Sequence, residues 1–162
     1  ITLSSEKGKG SCFTLEICTK PAEGSVESDH SDLPVDLNTI RGRRILVAED
    51  NRTNRLLLRK YLSGLSVELI EAENGRLAIE LCAKHHPDIV LMDMSMPEMD
   101  GVSAAKAIRG LSIPQPLIVA LTANAFGSDR DACLKAGMDA FLAKPIKKME
   151  LLSEIGTVLG RG

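Results

Sequence analysis

Residues 89–101 read "IVLMDMSMPEMDG". Four apolar side chains, Ile89, Val90, Leu91 and Met92, run straight into Asp93, and a loop with Pro97 and Asp100-Gly101 follows. A carboxylate at the end of a buried strand is costly unless something compensates for it. Asp93 therefore either caps a turn or is held in place to react. The apolar run before it bears on the fold. An unbroken run, rather than an alternating one, marks a strand covered on both faces.

Mostly apolar runs recur on either side. "RILVA" (44–48), "VELIEA" (67–72), "PLIVALTA" (116–123) and "DAFLA" (139–143) read as further strands. Between them, 51–65, 74–85, 101–109, 128–137 and 147–159 read as helices. Leu58, Leu62 and Leu65 recur at helical spacing with Gly64 near the end, and Pro87 stops the second helix. Ser128 with Asp131 three residues on, and Gly137 at the far end, frame the fourth. Strands alternating with helices over short connections predict an α/β fold: a doubly wound, five-stranded parallel sheet with helices on both faces. Ligands of such sheets sit outside the carboxyl ends of the strands.

Composition narrows the function classes. The 162 residues carry 22 acids against 20 bases, a formal charge of -2, which gives no electrostatic case for a nucleic-acid binder. Aromatics are 2% with no Trp, so stacking platforms for single strands are absent too. Cys12, Cys18, Cys82 and Cys133 form no CxxC pair and read as reduced thiols of a cytoplasmic protein. No apolar run approaches the ~20 residues of a membrane helix, so no direct membrane contact is expected from this piece. The first residue is Ile1, which reads as a fragment of a longer chain whose parent is free to be membrane-anchored.

The strand ends carry the chemistry. The first strand runs into Glu49 and Asp50, the third into Asp93, the fourth into Thr122 and the fifth into Lys144-Pro145. Singly each has a bland reading: Asp50 or Asn51 as a helix cap, Thr122 as a β-branched strand residue, Lys144 as a surface cation. In a parallel sheet they converge on one edge. There each close pair of carboxylates repels by about 4 kcal/mol at an effective dielectric of 20. Lys144 offsets only part of that charge. A hard divalent cation such as Mg²⁺, which takes carboxylates, waters and a phosphate, would complete the balance. An Asp in that setting is a plausible phosphoryl acceptor, and the Lys and Thr would hold the group's oxygens.

"ILVAEDN", "IVLMDMSMPEMDG", "LIVALTAN" and "FLAKPI" stand in the order and at the approximate spacing of the receiver domains of two-component phosphorelay signalling. From about Arg43 to Leu159 the chain resembles that family. The resemblance implies a flavodoxin-like sheet of order 2-1-3-4-5. It also implies a phosphoacceptor at Asp93, charged by a phosphohistidine on a histidine kinase domain or a histidine phosphotransfer protein. By the same resemblance Glu49, Asp50, Asp93 and the main-chain carbonyl of Ser95 would hold Mg²⁺. Thr122 and Lys144 would bind the phosphoryl oxygens, and Thr122 with Phe141 would form the switch. Ser95 and Asn124 take positions that tune phosphoryl lifetime in the family. The acidic pair is Glu-Asp where Asp-Asp is usual. A competing reading is a receiver-fold interaction module that regulates an attached kinase without being phosphorylated. An Asp-nucleophile phosphatase is disfavoured, because those enzymes carry a second acid where this chain has Ser95.

Residues 11–18, "SCFTLEIC", alternate like a strand after the turn formers Gly8 and Gly10. "GKGSCFTLEI" resembles the closing strand of a histidine-kinase ATP-binding domain. Residues 1–20 would then be a remnant of that domain without an ATP site, 21–42 a flexible linker rich in Pro, Gly, Ser, Glu and Asp, and 43–162 the receiver. The whole would come from a hybrid histidine kinase. Arg52, Arg55 and Arg59 share one helix face, read either as solvated or as a docking surface for an acidic partner. Arg41, Arg43 and Arg44 read as a solvated entry to the first strand. His85 and His86 sit at a helix end, where positive charge suits the macrodipole.

Overall fold

The computed structural model describes residues 2–6, 8, 10–14, 37–123 and 128–160. Two compact units divide the chain, Ile1–Ser31 and Asp32–Gly162. In the first, strand β1 (Thr2–Glu6) pairs antiparallel with β2 (Gly10–Thr14), in register from Thr2 opposite Thr14 to Glu6 opposite Gly10. Gly8 (φ +88°) and Gly10 (φ +99°) adopt the left-handed backbone that glycine tolerates best. The expected strand is therefore half of a hairpin, and residues 15–18 lie outside the described set. Its partner "TLSSE" has one bulky apolar residue, Leu3, too little for the alternation signal to register.

In the second unit a 3-10 turn (Leu37–Thr39) leads into β3 (Arg44–Ala48), α1 (Arg52–Leu62), β4 (Glu68–Ala72), α2 (Gly75–His85) and β5 (Ile89–Asp93). Next come α3 (Gly101–Arg109), β6 (Leu117–Thr122), α4 (Ser128–Lys135), β7 (Ala140–Ala143) and α5 (Lys148–Leu159). All five strands are parallel in the order β4-β3-β5-β6-β7, which is 2-1-3-4-5 counted within the sheet. Residues 37–42, read as linker, include Ile40, which is fully buried in the core of this unit.

Alternate residues of each strand feed opposite faces, which explains the unbroken apolar runs. Ile45, Val47, Leu91 and Leu121 pack with Leu58, Leu62, Leu151 and Ile155 of α1 and α5. Leu46, Val90, Met92 and Ala120 pack on the other face with Ala78, Cys82, Ala104, Ile108 and Cys133 of α2, α3 and α4. Asparagine and aspartate set the helix starts. The side chain of Asn51 accepts from the N–H groups of Thr53 and Asn54, that of Asn74 from Leu77, and that of Asp100 from Ser103. Of the two candidate caps for α1, the cap is Asn51, which spares Asp50.

Candidate active site

Every polar residue picked out at a strand end lies at the carboxyl edge of the sheet. Glu49 follows β3, Asp93 ends β5, Thr122 ends β6 and Lys144 follows β7. Glu49, Asp93 and Thr122 are only 1%, 3% and 2% exposed, whereas Asp50 is exposed. One carboxylate oxygen from each of Glu49, Asp50 and Asp93 lies within 4.8 Å of the others. Acids far apart in the chain thus form a single anionic cluster.

Lys144 is its cation. Nζ lies 2.8 Å from Asp93 Oδ2 and 2.8 Å from Glu49 Oε2. Burial opposes the charge of this lysine, but its hydrogen bonds to Asp93 and Glu49 together with the charge of both carboxylates outweigh that and hold its pKa above the ordinary value. Asp93 is pushed upward chiefly by burial. The bond from Lys144 and the Ser95 N–H, which donates to Oδ1 at 3.2 Å, pull it down, while the charge of Glu49 raises it further. The net direction is up, and one ammonium group does not neutralise the cluster. Hard oxygen donors crowded together with excess negative charge fit a divalent cation of the Mg²⁺ type.

Thr122 and Lys144 are joined through the main chain, the Lys144 N–H donating to the Thr122 carbonyl at 2.7 Å. Phe141 is half-buried against the apolar cluster shared with α2, α3 and α4, and pairs in register with Ala120. Asn124 lies outside the described residues. The loop after Asp93 differs in its logic from a simple sharp turn. Asp100 caps α3, and Gly101 has an ordinary backbone but no room for a side chain: a Cβ there would collide with the Asp93 carbonyl oxygen. The one non-glycine residue of this loop with positive φ is Glu98, at 64°.

The arginines also depart from expectation. Arg55 Nη1 donates to the main-chain carbonyls of Glu49 and Asp50, both at 2.7 Å. Arg59 forms a two-pronged pair with Glu71 of β4 at 2.9 and 2.7 Å. Two of the three residues read as an open basic face are thus engaged inside the domain. Arg43 and Arg44 are likewise bonded rather than merely solvated. Arg43 pairs with Asp88 at 3.3 Å, and Arg44 donates from its guanidinium to the His85 carbonyl at 2.6 Å. His86 is the left-handed cap of α2 (φ 47°). The sequence reading missed Asn54, whose Nδ2 donates to Glu49 Oε1 at 3.0 Å. Helical side chains tilt toward the N-terminus, so first-turn residues reach back to the strand end they follow. That was the available signal. A cleft of about 370 Å³ beside the cluster is lined by Leu57, Leu58, Leu121, Pro145 and Ile146 with Glu49, Asn54 and Lys144.

The sequence profile of the response regulator receiver domain matches residues 45–156. The chain belongs to the receiver domain family. Among curated relatives, "Hybrid signal transduction histidine kinase H" of Dictyostelium discoideum is 40% identical over 141 residues, covering 83% of this chain but 10% of that protein. The chain thus spans about a tenth of that relative's length. Among solved structures, the receiver domain of sensor histidine kinase PA1611 from Pseudomonas aeruginosa PAO1, with a magnesium ion coordinated in its active site cleft, shares 37% identity at TM-score 0.68. It covers 74% of this chain and 98% of that one. The receiver domain of Saccharomyces cerevisiae Ssk1, crystallised with the histidine phosphotransfer protein Ypd1, shares 28% identity at TM-score 0.67, covering 75% and 90%. Among the described residues of this receiver, no helix is long and apolar enough to cross a membrane.

Proposed function

We propose that this receiver takes a phosphoryl group from a phosphohistidine onto Asp93 in a Mg²⁺-dependent reaction, and relays it within a hybrid histidine kinase system. The observation that carries the reading is the bridge of Lys144 to both Glu49 and Asp93, with Asp50 alongside. An Asp93 oxygen bonds to phosphorus as the P–N bond of the phosphohistidine breaks. The bonding electron pair leaves with the imidazole nitrogen, which takes up a proton. Catalysis of such a transfer is positioning and charge stabilisation. The upward pull on the Asp93 pKa goes with a more basic oxygen than an exposed Asp would offer.

Glu49, Asp50, Asp93 and the Ser95 carbonyl would hold Mg²⁺, consistent with the three clustered acids here and with the magnesium in the PA1611 receiver. The bound ion supplies positive charge against the carboxylates and the incoming phosphoryl oxygens. Lys144 hydrogen-bonds one of those oxygens and Thr122 another. Movement of Thr122 toward the group, with Phe141 filling the space behind it, shifts the population between two packings. The donor is a histidine kinase domain or a histidine phosphotransfer protein, as the Ssk1–Ypd1 pair suggests. The exposed Leu56 and Leu57 on α1 and the adjoining cleft give it an apolar landing. Two buried free thiols, Cys82 and Cys133, suit a reducing compartment such as the cytoplasm.

The hairpin of residues 2–14 fits the end of a kinase ATP-binding domain joined to the receiver by a linker. The reading is tested by incubation with Mg²⁺ and a small acyl phosphate, followed by intact mass. A gain of one phosphoryl group that disappears in Asp93→Asn supports it. No gain, or a gain that survives Asp93→Asn, defeats it.

A further inference from the structure

Asn54 and Arg55 stand next to each other on the first turn of α1, and both reach back to the acidic pair that precedes the helix. Their donors go to different parts of it. Asn54 Nδ2 meets the Glu49 carboxylate at Oε1, where the Asn51 N–H also points at 3.3 Å. Arg55 avoids the carboxylates and binds the carbonyls of Glu49 and Asp50 with one terminal nitrogen. We infer that these two residues are positioning residues for the cation site: Asn54 fixes the Glu49 side chain, and Arg55 fixes the backbone that aims Asp50. The inference rests on the Mg²⁺ reading given above and deepens it.

The length of the Glu49 side chain makes the case. An aspartate at this position would be one C–C bond shorter, about 1.5 Å. That would stretch the 3.0 Å contact to Asn54 beyond hydrogen-bond range. A glutamate is also harder to hold, having one more rotatable bond to order. Its Oε2 is drawn to Lys144 at 2.8 Å, so without an opposing donor the carboxylate would turn toward the lysine and away from the cation. Asn54 and the Asn51 N–H are that opposing pair. Arg55 solves a second problem. Its positive charge stands beside a site meant for a cation, yet the guanidinium is bonded to two carbonyls, which leaves the carboxylates open to metal. Partners behind metal ligands commonly alter affinity by 10–100-fold.

Mn²⁺, whose free aqueous signal is read directly by electron paramagnetic resonance, is the probe for the test. It is titrated into wild type, Asp50→Asn, Asn54→Ala, Arg55→Met, Glu49→Asp and the Glu49→Asp/Asn54→Ala pair. Binding in the wild type, lost in D50N, and about 10-fold weaker in N54A and in R55M supports the inference. In the E49D background, removing Asn54 has less than about a twofold effect, because the shorter acid no longer meets it. Phosphorylation by a small acyl phosphate then needs more metal in N54A but reaches the wild-type rate at saturation. Unchanged or tighter Mn²⁺ binding in N54A overturns the inference. So does an equal loss with Glu or Asp at position 49, which a merely structural role predicts. A wild type with no saturable binding, or with binding that D50N leaves intact, defeats the cation reading itself and is told apart on that ground.

Discussion

Acids and bases meet at both edges of the sheet, and the two edges treat them differently. At the amino edge, Asp88 accepts from the Arg44 N–H at 2.7 Å and pairs with Arg43. Asp139 accepts from the Ile118 N–H and from Arg109, both at 2.7 Å. Arg109 also reaches the Gly137 and Pro116 carbonyls, tying α3 to the segments that lead into β7 and β6. Asp88 and Asp139 each have their own arginine and their own backbone donor, so their charge is closed locally. At the carboxyl edge, Glu49 and Asp93 share one lysine and Asp50 lies beside them. The residue types are alike, but one edge closes its charge in pairs and the other keeps an excess of negative charge that suits a cation. The unbalanced edge is where ligand chemistry is expected.

The sharpest way to break this contrast is to remove one acid from each edge. Asp93→Asn abolishes phosphoryl incorporation, whereas Asp88→Asn retains it, as read by intact mass with Mg²⁺ and an acyl phosphate. Next in size is Lys144→Ala. It strands two buried carboxylates, and because the lysine is a quarter exposed the cost is about 2 kcal/mol, below the full value for a buried pair. Urea denaturation should show that loss shrinking as Mg²⁺ is added, since the ion stabilises the folded state in proportion to its binding. Asp139→Ala costs roughly 1–2 kcal/mol by leaving the Ile118 N–H and Arg109 without their acceptor, and Mg²⁺ should not repair it.

The smallest effect is a slope in pH. Burial pushes the Cys82 thiol up to about 12, with Arg109 drawing it slightly down, from an ordinary 9.0. Between those values the unfolded thiol loses its proton while the folded one keeps it, so stability falls as pH rises. Lys144, held above its ordinary 10.5, acts with the same sign: its contribution is complete below that value and disappears as pH passes through the folded one. Unfolding free energies from urea denaturation at pH 8, 9.5 and 10.5 should decline by less than about 1.4 kcal/mol per pH unit through Cys82, the Lys144 contribution being lost only above that range. Cys82→Ala should flatten part of the decline.

The amino edge was the less legible of the two. Mostly unbroken apolar runs revealed the parallel strands, with VELIEA, broken by Glu68 and Glu71, as the edge strand, and the residues ending them disclosed the acids, Thr122 and Lys144. Direction along a parallel strand suffices to bring such ends together. Pairings such as Arg109 with Asp139, or Arg43 with Asp88, join loops by side-chain reach alone, and no periodicity encodes that. Asn54 looked like an ordinary polar position, and Arg55 like part of an exposed basic face, because their partners are a neighbouring carboxylate and two carbonyls. Gly101 read as turn chemistry, but its absent side chain makes room for the main chain of Asp93. In β1, Leu3 between Thr2 and Ser4 gave no stripe to detect.

The tight seat of Gly101 against the Asp93 carbonyl has a mechanical consequence. The backbone behind the Asp93 carboxylate rests on the start of α3, as on an anvil, with no room between them even for a methyl group. Any bulk added in front must therefore be absorbed by the opposite side of the pocket, around β6 and β7. If a phosphoryl group is taken up at Asp93, its room has to come from those outer strands, because Gly101 has no side chain that could give way.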